Sequence, residues 1–238
     1  MRRAATAIAG ILIASWCAPA EAREAPKARR PVVVELYTSQ GCSSCVAADK
    51  LLVDIAGRPN VLALTLAVDY WDYLGWTDTF AKPEFSDRQK AFNKKLALRD
   101  VYTPQVIVDG AGQASGAEAK KVEALIRQAQ KDRTPGPRIR LQRHGKVSVA
   151  AGPAPRGGAD VWLVRYDPSV QEVAVKKGEN RGQTLAEKNV VSGIVRLGGW
   201  TGKARTYVIP TDGGSKPLKS AVLVQVAHGG RILSVLVR

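Results

Sequence analysis

Apolar and polar positions divide the chain into two textures. After the basic stretch Lys27 to Arg30, Pro31 leads into Val32-Val33-Val34-Glu35-Leu36-Tyr37, an almost unbroken β-branched run that predicts a buried strand. Thr38 to Gly41 supply a turn, and Cys42 follows where a helix should begin. Ala48, Leu51, Leu52 and Ile55 recur at i, i+3, i+4 and i+7 until Gly57 and Pro59 stop the helix. Val61 to Val68 predicts a second buried strand, which completes a strand–helix–strand unit with a right-handed crossover. An acidic, aromatic stretch, Asp69 to Phe80, comes next. Ser86 and Gln89 then predict a capping box for a helix running to about Leu98. Val101 to Gly110 reads as a turn, a short strand and another turn. Ser115 and Glu118 would cap a last helix with Ala119, Val122, Leu125, Ile126 and Ala129 on one face. Lys131 to Pro137, ending in Pro135-Gly136-Pro137, marks the domain boundary.

From Arg138 onward the period changes to two. Val161 to Tyr166, Val173 to Lys177, Ala221 to His228 and Ile232 to Arg238 alternate between Gly-rich turns, and a short helix is predicted over Leu185 to Leu197. The expectation is an α/β domain over residues 31–131, then a mostly antiparallel, sandwich-like β domain over 138–238. No internal repeat is present.

The N-terminus changes the picture of where the chain works. Arg2 and Arg3, the apolar Ala4 to Ala18, and Ala20-Glu21-Ala22 read as a signal peptide over residues 1–22. The apolar run is too short and Ala-rich to span a bilayer comfortably. Cys17 suggests a lipid anchor, but bulky Trp16 stands where such sites want a small residue, so release into the periplasm or medium is expected. The net charge of +15 becomes +14 once Arg2, Arg3 and Glu21 leave. Export makes nucleic acid an unfitting partner. The basic surface serves solubility, with weak attraction to an anionic envelope surface as the alternative.

Loss of the leader removes Cys17 and leaves Cys42 and Cys45, a single Cys-x-x-Cys in a compartment that permits disulfides. So short a loop makes a poor structural staple. At the start of a helix, backbone N–H groups and the helix dipole stabilise a thiolate on the first cysteine, and the second is close enough to resolve a mixed disulfide. The same spacing fits half a zinc site. A Cys2His2 site would need both His144 and His228, which sit in predicted hairpin turns, so no metal or other cofactor is expected. An inert disulfide is the remaining alternative.

Thr103-Pro104 lies about 60 residues beyond the pair, just before a strand, and here the chain resembles the thioredoxin superfamily. The resemblance implies that Pro104 is cis beside the cysteines and that Thr103 faces substrate. Tyr37 to Cys45, Asp69 to Trp76, Val101 to Gln105 and Gly178-Glu179-Asn180-Arg181-Gly182 are similar to the DUF1223 family, whose members are exported proteins with a thioredoxin-like domain. The similarity covers nearly the whole mature chain. Val46 and Ala67 depart from it, standing where proline and histidine are expected; the second change removes a proton carrier near the site.

By the same resemblance, Glu35 is a candidate proton acceptor behind the second cysteine, its carboxyl raised by burial. The other reading is a strand-end carboxylate facing water or paired with a lysine. Tyr70, Trp71, Tyr73 and Trp76 fall at the carboxyl end of the second strand, the binding edge of an open α/β sheet. They are expected chiefly to pack an insertion, with one or two rings meeting substrate; Tyr70, Trp71 and Trp76 are the candidates. Asp69, Asp72 and Asp78 match no calcium loop. The functional expectation is an exported dithiol–disulfide oxidoreductase acting on protein or small-molecule thiols and an unidentified redox partner. Cys42 attacks, Cys45 resolves, and Thr103 with Pro104 positions the partner. A non-catalytic ligand- or protein-binding protein with an inert disulfide is the alternative.

Overall fold

In a computed structural model the described residues are 30–132, 134–211, 213–214 and 217–238; the leader and Cys17 lie outside them. The strands are β1 (Val32–Thr38), β2 (Val61–Ala67), β3 (Gln105–Val108), β4 (Gly112–Ser115), β5 (Ile139–Gln142), β6 (Lys146–Val149), β7 (Ala159–Ala174), β8 (Thr184–Trp200), β9 (Arg205–Val208), β10 (Lys219–Val226) and β11 (Ile232–Val237). The α-helices are α1 (Val46–Ala56), α2 (Pro83–Lys95) and α3 (Ala119–Lys131). Among the described residues no helix is long and apolar enough to cross a membrane.

The chain forms a mixed α/β structure dominated by one eight-stranded sheet, ordered β11-β10-β7-β8-β2-β1-β3-β4. Strand β1 pairs with β2 in parallel and with β3 antiparallel, and every residue of β1 is buried. Burial on both faces is why its sequence is a run rather than an alternation. Val32, Val34 and Leu36 meet Ala48, Leu52 and Ile55 of α1 and Val122 and Ile126 of α3. Val33 and Tyr37 pack on the other face with Phe85 and Phe92 of α2 and with Val164, Val191 and Leu223 from later strands.

The second half does not stand apart as a sandwich-like β unit. Four strands of the second half, β7, β8, β10 and β11, extend the first half's sheet. Among the described residues β5, β6 and β9 make a second sheet, which packs Ile139, Val147, Val149 and Tyr207 onto Val161, Leu163, Val222 and Val224. The predicted helix over Leu185 to Leu197 is instead strand β8, paired along its length with β7. Its Val190, Val191, Ile194 and Val195 carry the β-branching that suits a strand, and Gly193 weakens a helix. Val173 to Lys177 is the end of β7 and its turn, and β4 escaped the sequence pattern altogether.

The helix starts differ too. Helix α2 begins with Pro83 at its first turn, so Ser86 and Gln89 lie inside it. Ser86 Oγ donates to Asp69 Oδ1 at 2.6 Å, and Gln89 Nε2 donates to Tyr102 O and Gln105 Oε1, both at 2.8 Å. Helix α3 is preceded by Glu118 without a side-chain cap, and Ser115 closes β4.

One buried ion pair ties these layers together. Arg88 of α2 donates to both carboxylate oxygens of Glu35 on β1, at 2.7 and 2.8 Å, and to Gln225 Oε1 on β10 at 3.0 Å. Tyr37 OH adds a 2.9 Å hydrogen bond to Glu35, and the guanidinium stacks over Phe92 and Trp162. Burial disfavours the charged guanidinium, but Glu35 outweighs it and holds Arg88 ionised. Removing one member of such a pair strands a charge in the core. Arg88→Met should therefore lower the unfolding free energy by about 3–5 kcal/mol. Glu35→Gln/Arg88→Met together should cost less than the sum of the single changes. Urea titration checks both; an Arg88→Met loss below about 1 kcal/mol would contradict the assignment.

Candidate functional site

The site grows from the end of β1. Cys42 N–H donates to Ser39 O at 3.1 Å, closing the turn, and Ser43–Cys45 make one 3-10 turn that runs into α1. Cys42 and Cys45 form a disulfide. Neither is open to solvent: Cys42 is 6% and Cys45 0% exposed. Segments from elsewhere in the chain cover it.

The first is the loop before β3. The Thr103–Pro104 bond is cis, and Thr103 Oγ1 donates to Cys42 Sγ at 3.3 Å. Trp71 Nε1 in turn donates to Thr103 Oγ1 at 2.7 Å. Gly116 N–H holds Pro104 O at 2.8 Å, and no side chain fits at Gly116, where a Cβ would stand 2.6 Å from that of Ala48. The cysteine helix and the proline loop thus meet over a bare backbone.

The aromatic stretch supplies the second cover. Trp71 stacks on Tyr73, a residue 77% exposed. Trp76 Nε1 donates to Gln40 Oε1 at 3.1 Å, beside the cysteine turn. Tyr70 OH instead donates to Gln89 of α2 at 3.1 Å. Trp71, Trp76 and Thr103 therefore gather around the disulfide, and Tyr70 is engaged with α2.

The third cover was not foreseen: the tip of the long β7–β8 hairpin. Asn180 is fully buried, and its Nδ2 donates to Gln40 O at 2.9 Å and Cys42 O at 3.1 Å. Glu179 Oε2 accepts the Ser43 N–H at 3.1 Å. The Gly178 to Gly182 run was the only hint of this in the sequence.

Glu35 is not behind the cysteines. It shares a sheet face with Val33 and Tyr37, opposite α1, and its carboxylate is taken by Arg88 and Tyr37. Buried carboxyls on the cysteine side come from elsewhere. Asp49, one turn beyond Cys45, accepts from Thr38 Oγ1 at 2.7 Å. Burial raises its pKa from 3.8 to about 7, with Asp78 adding to the rise and Thr38 opposing it. Asp78 accepts from Gln40 N–H at 2.7 Å and Phe80 N–H at 2.9 Å, and burial outweighs these bonds to raise its pKa. Glu187 of β8 is 1% exposed, and neither carboxyl oxygen has a formed hydrogen bond. Burial, then Asp49 and Asp78, push its pKa well up, though nearby Gln40 favours the ionised form.

Asp49 was visible in the sequence as an acid on the apolar face of α1, spaced i+4 from Cys45; Glu187 was hidden in the segment read as a helix. Among the described residues no group of His, Cys, Asp and Glu is arranged to hold a metal ion. His144 and His228 sit in hairpin turns at positive φ.

Fold and site together define an α/β protein on one mixed sheet, with a Cys-x-x-Cys disulfide where β1 enters α1. The sequence profile of the family described as a protein of unknown function (DUF1223) matches residues 33–226, and the chain belongs to that family. The crystal structure of a protein from Agrobacterium tumefaciens is similar at 30% identity, covering 88% of this chain and 94% of that one, with a TM-score of 0.70. No curated protein matches the chain significantly.

A buried acid whose pKa is raised stabilises the fold while protonated; that contribution is full below its unfolded value and lost as pH rises through the folded one. For Asp49 the window runs from about pH 4 to about pH 7, and the rise from 3.8 to about 7 corresponds to on the order of 4 kcal/mol. Asp49→Asn should flatten the fall in stability between pH 5 and pH 8, read by urea unfolding at both. An unchanged slope would show that Asp49 is ionised throughout.

Proposed function

We propose that the protein is a thioredoxin-like thiol–disulfide oxidoreductase working in the periplasm or outside the cell. The observation that carries the reading is the Thr103 hydroxyl donating to Cys42 Sγ at 3.3 Å, in a Cys-x-x-Cys pair at a helix start. A donor aimed at that sulfur favours a thiolate, the nucleophile of disulfide exchange. The β2-β1-β3-β4 portion of the sheet, with α1 and α3 on one face and α2 on the other, supports the thioredoxin-like reading.

In the reducing direction, the Cys42 thiolate attacks a substrate disulfide, forms a mixed disulfide and expels one substrate thiolate. Cys45 loses its proton, attacks the Cys42 sulfur and releases the second thiolate. Two electrons pass from the protein dithiol to the substrate, and Cys42–Cys45 becomes the disulfide. Asp49, one turn from Cys45 and with a pKa near neutrality, is our candidate for the proton acceptor. It replaces Glu35 in that role. Trp71 and the exposed Tyr73 form an aromatic flank beside Thr103 that suits an apolar stretch of a protein substrate. Oxidation of substrate dithiols is the same path reversed.

The burial of Cys42 favours a second reading, a binding protein whose disulfide is inert. Trapping separates the two. Cys45→Ala should accumulate mixed disulfides on Cys42 in extracts of cells expressing the exported protein, and Cys42→Ala should give few. A Cys45→Ala protein that captures neither proteins nor small thiols would move the binding reading ahead.

A further inference from the structure

Residues 38–48 carry the whole cysteine turn and the start of α1 without one charged side chain. Two carboxyls reach the turn: buried Asp78, on the Gln40 N–H and with its pKa raised, and an exposed one from the other half of the sequence. Strands β7 and β8 run 16 and 17 residues, and residues 175–183 between them fold back over the disulfide. Gly178, at φ 74°, lies against Trp76, and buried Asn180 clamps Gln40 O and Cys42 O. That clamp delivers its exposed neighbour Glu179 to the Ser43 N–H at 3.1 Å. The bond in turn holds the Glu179 carboxyl below its usual range. Lys176, Lys177 and Arg181 on the same tip are exposed, and the tip's only carboxylate is the group bonded to the turn.

Backbone N–H groups at a helix start are the donors that stabilise a thiolate on the first cysteine of such a pair. Here a carboxylate takes the Ser43 N–H, and the Cys45 N–H donates to Cys42 O at 3.1 Å. Cys42 Sγ is left with hydroxyls, Thr103 and Ser44, each at 3.3 Å. A neutral disulfide sits beside Glu179 without repulsion; a thiolate on Cys42 does not.

We propose that Glu179 sets the redox poise of the Cys42–Cys45 pair: by taking the Ser43 N–H and opposing negative charge on Cys42, it favours the disulfide and makes the dithiol a stronger reductant. This rests on the thiol–disulfide reading and deepens it. Glu179 touches neither sulfur, so it is a positioning residue, supplied to the first half of the chain by the second.

Equilibration with glutathione tests this on the mature protein. Dithiol and glutathione disulfide yield the Cys42–Cys45 disulfide and two glutathiones; two electrons leave the protein, and its two thiol protons end on the two glutathione sulfurs. At pH 8.5 and low salt, where thiolate is populated, Glu179→Gln should shift this equilibrium toward the protein dithiol by about threefold, the repulsion expected at roughly 6 Å in a watery setting. The shift should shrink in 0.5 M salt, about 4 Å of screening length. Glu179→Asp, which keeps the charge, should stay nearer the wild type. Superimposable curves for wild type and Glu179→Gln, or a shift toward the disulfide, overturn the inference and leave the exchange reading intact. A wild-type protein that does not equilibrate with glutathione at all overturns both.

Discussion

Strand β8 meets β2 in parallel at Val190 and Thr65, and little backbone pairing holds them. Side chains fasten the seam instead. Thr65 Oγ1 donates to Lys188 O and Asn189 Nδ2 donates to Ala63 O, both at 2.8 Å, with Asn189 in the left-handed region at φ 52°. Asparagine tolerates that conformation better than most residues with a side chain. The seam makes one sheet of the two halves, and it is what carries Glu187, Asn180 and Glu179 to a cysteine turn more than 130 positions away in sequence.

The sheet also separates two kinds of buried acid. On the α2 face, Glu35 has a guanidinium with a two-point grip, so its charge is matched inside the core. On the α1 face, Asp49, Asp78 and Glu187 meet hydroxyls, backbone N–H groups or one another, and among the described residues no ion pair reaches them. Desolvation without a counter-charge favours the protonated form. Although the chain has 36 Lys and Arg, these three buried carboxyls have no cation partner among the described residues, and burial shifts each toward its protonated form. Protons held next to a pair of sulfurs are the currency that thiol–disulfide exchange requires.

The first half was largely legible because its signals are local. An unbroken β-branched run marks β1, and an i, i+3, i+4, i+7 stripe marks α1 up to Gly57. The Cys-x-x-Cys position followed from these two. What sequence could not supply was which face a residue takes within a strand buried on both sides. A run without alternation carries no phase, and Glu35 fell on the face away from the cysteines. Strand β8 misled for a related reason. Its Leu185, Ala186, Val190, Val191 and Ile194 mimic helical spacing because register irregularities at Arg165/Tyr166 and Asp167/Val170 break the strict period of two. The covering role of Asn180 depends on a contact between distant segments, for which a single sequence holds no local cue beyond the turn residues Gly178 and Gly182.

Thiol–disulfide exchange at this site requires that the Cys42–Cys45 bond can open while the fold stays closed around it. The direct measurement is a redox titration of the native protein, with the thiols trapped by alkylation and counted by mass, and far-ultraviolet circular dichroism followed in parallel. A reversible two-electron transition with an unchanged spectrum is the predicted result. A disulfide that stays oxidised until the spectrum reports unfolding would contradict it and leave a structural clip in place of a redox site.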